Sequence, residues 1–373
     1  MERNLDFRVN NFDLLRLLAA TEVIVDHYFQ HLNKPVSSFG FKLFDLFPGV
    51  PVFFIISGYL ISASYERNHD LKQYFRNRIL RIYPGLWACI IFSVIVISIT
   101  GVSFINKQAL AWFPAQLAGF IYTPGFLSDY GFGSYNGSLW SIPVELQFYM
   151  LLPIIYKLVP KNKINYLLYG LLGLFIVLNF TYQVTYDDNK FFKLVGYTFI
   201  PHFYMFLMGV ILQRLQVYRS RLIYSKGLYW LAAYIALNLF FSNYINPLVF
   251  QLHYITLLAF CIISLAYTFP HTAERLLRGN DISYGIYIYH GLILTVIMQE
   301  HWVRNTNLFE VMVMAYGLAC LSWLCIERPF IRMKKKTIKL NTFDSLAKKR
   351  HSYLWTFLKP HKDLSPAPQP AKE

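Results

Sequence analysis

Two residues near the start of the chain have types and spacing suited to group transfer. Arg16 and His27 lie eleven residues apart in one apolar run that begins at Phe12. If that run is helical, eleven residues advance about 1100°, roughly 20° from three full turns, so both side chains face the same way. Their separation along the axis is then about 16 Å. An arginine offers a fixed charge to a phosphate or carboxylate. A histidine can take a proton from a hydroxyl near neutral pH. One helix face can thus hold an anion contact and a general base. Asp26 cannot share that face, because adjacent helical residues diverge by about 100°. The plain alternative for His27 is a buried histidine bonded to a neighbouring helix. For Glu22, in the same run, it is packing or a helix-end charge.

Other stretches add candidates. In Arg76-Asn-Arg78-Ile-Leu-Arg81, Arg78 and Arg81 share a helix face. Arginine pairs bind phosphate bidentately, although an ordinary basic cluster at a membrane surface explains them equally. In Ser138-Leu-Trp140-Ser-Ile-Pro-Val-Glu145, an acid within an apolar segment must be paired or face a cavity. Glu145 is therefore a catalytic candidate. Trp140 suits an outer aromatic belt or stacking on a sugar, with Ser138 beside it. The block Gly49-Val-Pro-Val-Phe-Phe-Ile-Ile-Ser57-Gly58-Tyr59 reads first as a helix built for close packing, with Ser57 and Tyr59 as candidate substrate contacts. Later, Ser283-Tyr284-Gly-Ile-Tyr287-Ile-Tyr289-His290 and Glu327-Arg328-Pro329 complete the candidates, with an aromatic packing stripe and a helix stop as their plain alternatives. Cys89, Cys261, Cys320 and Cys325 sit in apolar blocks without a CxxC or Cys/His cluster. Neither a disulfide framework nor a bound metal is expected.

The elements that must position these residues are membrane spans. The chain is 55% hydrophobic and 15% charged, against about 25% charged in soluble proteins. Its apolar residues come in blocks of about 20, the length that crosses a bilayer as a helix. Ten spans are predicted: 12–32, 46–65, 82–101, 138–159, 164–182, 196–215, 225–242, 248–268, 283–303 and 307–327. The fold class expected is all-α, a polytopic membrane protein of about ten transmembrane helices. The membrane domain covers 1–333, and 334–373 is a basic, largely disordered cytoplasmic tail. The first run lacks a small-x-small cleavage site and reads as a retained helix. Fourteen Lys and Arg fall in loops on the side of the N-terminus and six in the opposite loops. That asymmetry places both termini in the cytoplasm. The net charge of +15 is then a topology signal and an attraction to anionic membrane lipid, not a nucleic-acid surface. The stretch 109–122, in a long uncharged loop, is too short to span. It is expected to re-enter the membrane or lie at the outer interface, with its backbone satisfied by protein or water.

Taken in order, five elements resemble acyltransferase family 3. They are Arg16-x10-His27, the Gly49–Tyr59 block, Arg78-x-x-Arg81, Ser138-Leu-Trp140-Ser with Glu145 and Phe148-Tyr149, and Glu327-x-Pro329. This is a family of membrane O-acyltransferases that includes O-antigen and Nod-factor acetylases. The resemblance spans about residues 10 to 333. It implies a multi-pass enzyme of the bacterial inner membrane with acetyl-CoA as donor and no metal. The implied acceptor is a sugar hydroxyl of a surface polysaccharide, such as O-antigen or exopolysaccharide, or of its lipid-linked precursor. It implies that His27 is catalytic, that Arg16 supports the donor or the active site, and that Arg78 and Arg81 contact acyl-CoA. Two positions depart from the family pattern: Pro143 stands between Trp140 and Glu145, and Tyr289 rather than a tryptophan precedes His290. The alternatives are a succinyl donor, a flippase for a lipid-linked glycan, or an acyl sensor without turnover. Oligomeric state is not legible.

Overall fold

The computed structural model describes residues 7–35, 46–187, 189–241 and 247–334. Among them the regular structure is helical, with short 3₁₀ turns and no strand. Helices α1 (Phe12–His31), α2 (Gly49–Arg67) and α3 (Leu71–Ile99) come first. A short helix α4 (Lys107–Ala118) leads to α5 (Ser141–Leu158), α6 (Ile164–Thr185) and the short α7 (Lys190–Gly196). Then follow α8 (Phe203–Arg214), α9 (Gly227–Phe241), α10 (Pro247–Ala266) and the single-turn α11 (Thr272–Leu277). The last two are α12 (Ser283–Gln299) and α13 (Leu308–Ser322), which continues through a π turn at Trp323–Glu327.

Each predicted span overlaps one of these helices, but α8 and α9, at 12 and 15 residues, are shorter than a crossing of about 20. Six are long and apolar enough to cross a membrane: Gly49–Arg67, Leu71–Ile99, Gly137–Leu158, Ile164–Thr185, Val249–Ala266 and Leu308–Lys334. Large apolar side chains such as Ile95, Val177 and Leu321 are exposed along them, as lipid-facing positions require. Two boundaries differ from the prediction. The third helix starts at Leu71, eleven residues early, because Asp70 caps it by accepting from the Gln73 amide at 3.2 Å. Arg78 and Arg81 therefore lie inside the helix. The sixth span is helical only from Phe203. Pro201 and His202 before it form a turn, held by a 3.0 Å contact from His202 Nε2 to the Gly196 carbonyl. The basic tail from 335 onward lies outside the described residues.

Close approaches organise the bundle. A Cβ on Gly58 would stand 2.0 Å from the Phe206 carbonyl oxygen, and one on Gly209 2.1 Å from that of Ile55. The α2–α8 crossing thus depends on two glycines, as the small-residue reading of the Gly49–Tyr59 block anticipated. Glu22 is buried and accepts from the Gly49 amide at 2.7 Å. A carboxylate from α1 meets the first turn of α2, where free N–H groups and the helix dipole favour negative charge. The helix-end role of Glu22 is the one observed. Asn11 fixes the start of α1, donating to the Thr268 and Phe269 carbonyls and accepting from the Ala273 amide.

Helix α4 folds back along α3. Its last residues, Leu117 and Ala118, accept hydrogen bonds from Trp87 and Tyr83, well below the end of α3 at Ile99. The chain then turns at Gly119, whose φ of 92° is left-handed, a conformation that favours glycine. The returning backbone is satisfied by protein. Trp112 donates to the Tyr122 carbonyl, and Gln116 donates to those of Phe120 and Tyr122. This is the condition under which irregular backbone is tolerated at depth.

Candidate active site

Helices α1 and α12 lie side by side and run in the same direction. Near their starts, Arg16 Nη1 is 3.9 Å from Asp281 Oδ2. About eleven residues further along α1, His27 Nδ1 is 3.0 Å from His290 Nε2. Between these pairs the two helices share an apolar seam of Ala20, Ile24 and Ile286. The predicted common face of Arg16 and His27 is therefore the face that meets α12.

His27 is half-buried and lines a cavity of about 300 Å³. Its other walls come from His31 on α1, from the returning loop 121–137, from Trp140 and from Tyr197 just after α7. The His31 ring stacks on Phe132 with centroids 4.3 Å apart and lies 4.9 Å from the His27 ring. Trp140 packs against His202 at 5.2 Å. The described lining is aromatic and polar but carries no carboxylate, lysine or arginine.

Three bonds tie the loop to α12. Asn136 Nδ2 donates to the Ile288 carbonyl at 2.8 Å, Thr295 Oγ1 to that of Ser134 at 3.1 Å, and the Gly131 amide to Gln299 Oε1 at 2.9 Å. Gly291 makes the fit possible. A Cβ there would stand 2.3 Å from Asn136 Oδ1 and 2.7 Å from Ser138 Oγ.

The other candidates fall into separate groups. Ser138 is fully buried and donates to Asn136 Oδ1 at 2.6 Å. It shapes the cavity wall from behind. Glu145 lies elsewhere: its Oε1 accepts from Ser57 Oγ at 2.8 Å and from the Tyr149 hydroxyl. Neither Ser57 nor Glu145 lines the cavity of His27. Tyr59 is wholly buried, stacked on Phe7 at 5.5 Å and beside Phe12 at 5.3 Å, within an aromatic core away from that cavity.

The two arginines of the Arg-x-x-Arg pair divide. Arg81 bonds Asp281 at 2.5 Å and so joins Arg16 around one carboxylate. Arg78 instead lies over the rings of Tyr74 and Tyr149, at 5.3 and 5.6 Å. Asp281 is also bonded by the Ser283 hydroxyl and amide. Burial pushes its carboxyl up, while the Arg81 and Arg16 guanidiniums pull it down by more, so it stays below the usual aspartate range.

His31 and Asp281 drew no notice in the sequence, whereas His290 and Glu327 did so only as candidates weighed against a packing stripe and a helix stop. His31 lies one turn after His27, and that i, i+4 spacing was an available signal. Asp281 sits in a turn with nothing nearby to flag it. Glu327 is 1% exposed within the π turn and bonded by Ser322; such turns occur often at functional sites. Among the described residues no cluster of three or more His, Cys, Asp or Glu side chains is arranged to hold a metal ion.

The profile of a family described as Acyltransferase domain matches residues 9–327. Nodulation protein 10 of Rhizobium leguminosarum bv. viciae is 33% identical over 357 residues, covering 88% of this chain and 95% of that protein. An O-acetyl transferase of Shigella phage Sf6 is 24% identical, covering 89% of this chain and 99% of that protein. The peptidoglycan O-acetyltransferase OatA of Listeria monocytogenes is also 24% identical, over 93% of this chain and 59% of that protein. No solved structure matches. With a family match over most of its length and a relative at 33% identity over 88% of the chain, the chain belongs to acyltransferase family 3.

Proposed function

We propose that the protein moves an acetyl group from cytoplasmic acetyl-CoA to a sugar hydroxyl of a cell-surface polysaccharide or its lipid-linked precursor, in the bacterial inner membrane. The observation that carries this reading is His27 on the wall of a cavity formed by α1, the loop that folds back from α4, Trp140 and Tyr197, with His290 of α12 bonded to it. The names of the phage and Listeria relatives support O-acetyl transfer, and the second supports a glycan acceptor.

The two ends of the α1–α12 pair divide the work. Arg16 and Arg81 present guanidiniums at the end the loop charges assign to the cytoplasm, where the phosphates of the donor replace part of the Asp281 contact. Arg78 adds a third cation. His27 receives the thioester about 16 Å deeper, at about 1.5 Å per residue. There it takes the acceptor's hydroxyl proton or carries the acyl group briefly. As a base, His27 accepts the proton as the acceptor oxygen bonds the carbonyl carbon. The carbon–sulfur bond breaks, and His27 returns the proton to the CoA thiolate. Trp140 and Phe132 offer ring faces to the acceptor sugar.

The test uses purified protein in proteoliposomes with labelled acetyl-CoA and a glycan acceptor. Ester on the glycan is measured by mass before and after mild alkali. His27→Ala should abolish alkali-labile labelling while the protein remains in the membrane. Transfer near the wild-type level in that variant would overturn the assignment.

A further inference from the structure

We propose that His290 is a positioning residue for His27, fixing which of its nitrogens carries the proton and therefore which one reacts. This rests on the acyl-transfer reading above. His290 Nδ1 lies 3.2 Å from the Ile286 carbonyl oxygen. A carbonyl only accepts, so the hydrogen of this contact resides on Nδ1. A neutral imidazole has one N–H and one bare nitrogen. The bare one is Nε2 of His290, and it lies 3.0 Å from Nδ1 of His27. His27 Nδ1 must then hold a hydrogen and donate it. The lone pair of neutral His27 is thereby confined to Nε2, which bonds no described side chain and is left to the cavity.

The chain of bonds runs from His27 Nδ1–H to His290 Nε2, and from His290 Nδ1–H to the Ile286 carbonyl. It sets a tautomer as a carboxylate does in hydrolase triads, but with no negative charge. The described carboxylates nearest His27 in sequence are engaged elsewhere: Asp26 accepts from Gln30, and Glu22 from the Gly49 amide.

The setting of His290 supports a fixed role. It is fully buried. Its ring lies 5.8 Å from that of Tyr287, which is itself bonded to Ser141 at 2.7 Å. Asn136 and Ser138 dock on the backbone of the next residue, Gly291, so α12 cannot rotate here without breaking the cavity wall. When His27 accepts the acceptor's proton on Nε2, its Nδ1–H bond to His290 strengthens, because bonds from charged donors are the stronger ones. His290 therefore helps most in the transition state.

Two substitutions separate this role from packing. His290→Leu fills space but accepts no hydrogen bond. His290→Gln offers an amide oxygen to His27 Nδ1–H. We expect His290→Leu to lower kcat by about 100-fold or more, the scale of acid–base contributions, with KM for acetyl-CoA within about two-fold of wild type. His290→Gln should recover at least about ten-fold of that loss. A second readout is the ¹⁵N spectrum of histidine-labelled protein in detergent, with the His27 signals assigned by difference against His27→Ala. Wild type should show His27 protonated at Nδ1, and His290→Leu should show a mixture.

The outcomes are distinct. An inactive His27→Ala together with a His290→Leu of near wild-type kcat overturns this proposal and leaves the function standing. A Gln variant no better than the Leu variant, or Nε2–H as the wild-type tautomer, also overturns it. An active His27→Ala overturns the function itself.

Discussion

At the residue scale, Asp281 makes the sharpest physical demand. Its side chain is 10% exposed and serves two guanidiniums, of which Arg81 is 21% exposed. Removing one partner of such a pair leaves the other charge poorly compensated. We expect Asp281→Asn to destabilise the protein by about 1–3 kcal/mol, the cost of losing a hydrogen bond to a charged group. Thermal unfolding of detergent-solubilised protein measures it. The pH dependence has a definite sign. The folded carboxyl lies below its ordinary value, because the arginines outweigh burial. Its contribution is complete above the unfolded value of about 3.9 and is lost as pH falls through the folded value. The gap between wild type and variant should stay constant from neutral pH down to about 4 and close only below it. A gap that closed between neutrality and about pH 5 would show that another group holds the arginines. His27 stood out in the sequence because an ionisable group in an apolar run is costly, and the family resemblance gave it the catalytic reading. Asp281 was not, since an aspartate in a short polar turn looks like any other until its partners from α1 and α3 are seen around it.

At the element scale, the small residues separate positions that pack from positions that do not. Gly209 on α8 would place a Cβ 2.1 Å from a backbone oxygen of α2, while Gly317 on α13 has nothing within 4 Å. Gly209→Ala must push two helices apart, with an expected cost of about 1–3 kcal/mol or more. Gly317→Ala should be neutral or stabilising by about 0.5–1 kcal/mol, since glycine is the poorer helix former. Unfolding midpoints of the two variants in one detergent decide this. Equal effects would mean that the α2–α8 contact is looser than the structure has it. Gly291→Ala is a functional counterpart. It displaces Asn136 and Ser138 from α12, so acetyl transfer should fall by at least about ten-fold while the protein remains in the membrane at wild-type level. The helices themselves were legible from apolar run length. Their ends were less so, because caps and turns such as Asp70 and Pro201 act within a few residues, below the width of a hydropathy window. The pairing of α1 with α12 could not be read at all, since nothing in one run specifies a partner some 260 residues away.

At the scale of the whole molecule, the proposed transfer depends on which side each end faces. The basic cluster of Arg16 and Arg81 and the cavity of His27 lie at different depths along the same two helices. Lys334, at the end of α13, lies near enough to Arg81, Arg78 and Arg16 to repel them, which joins the last helix to the same end as the first. The loop-charge asymmetry assigns that end to the cytoplasm. The assignment matters chemically, because it gives the arginines to the cytoplasmic donor pool and the cavity to acceptors from outside. Lys107, at the start of α4, and Lys161, between α5 and α6, test it together; both are exposed. Cys89 and Cys261 are buried, whereas Cys320 and Cys325 are exposed on α13. In a background carrying Cys320→Ala and Cys325→Ala, Lys107→Cys should react with an impermeant maleimide in intact spheroplasts. Lys161→Cys should react only after the membrane is opened. The reverse pattern would invert the protein and exchange the two ends. Labelling of both from one side would carry a different lesson. A single crossing, α5, separates the two positions only if α4 folds back along α3 rather than passing through the bilayer. Same-side labelling would make α4 a crossing segment and remove the returning loop, and with it the wall that encloses His27.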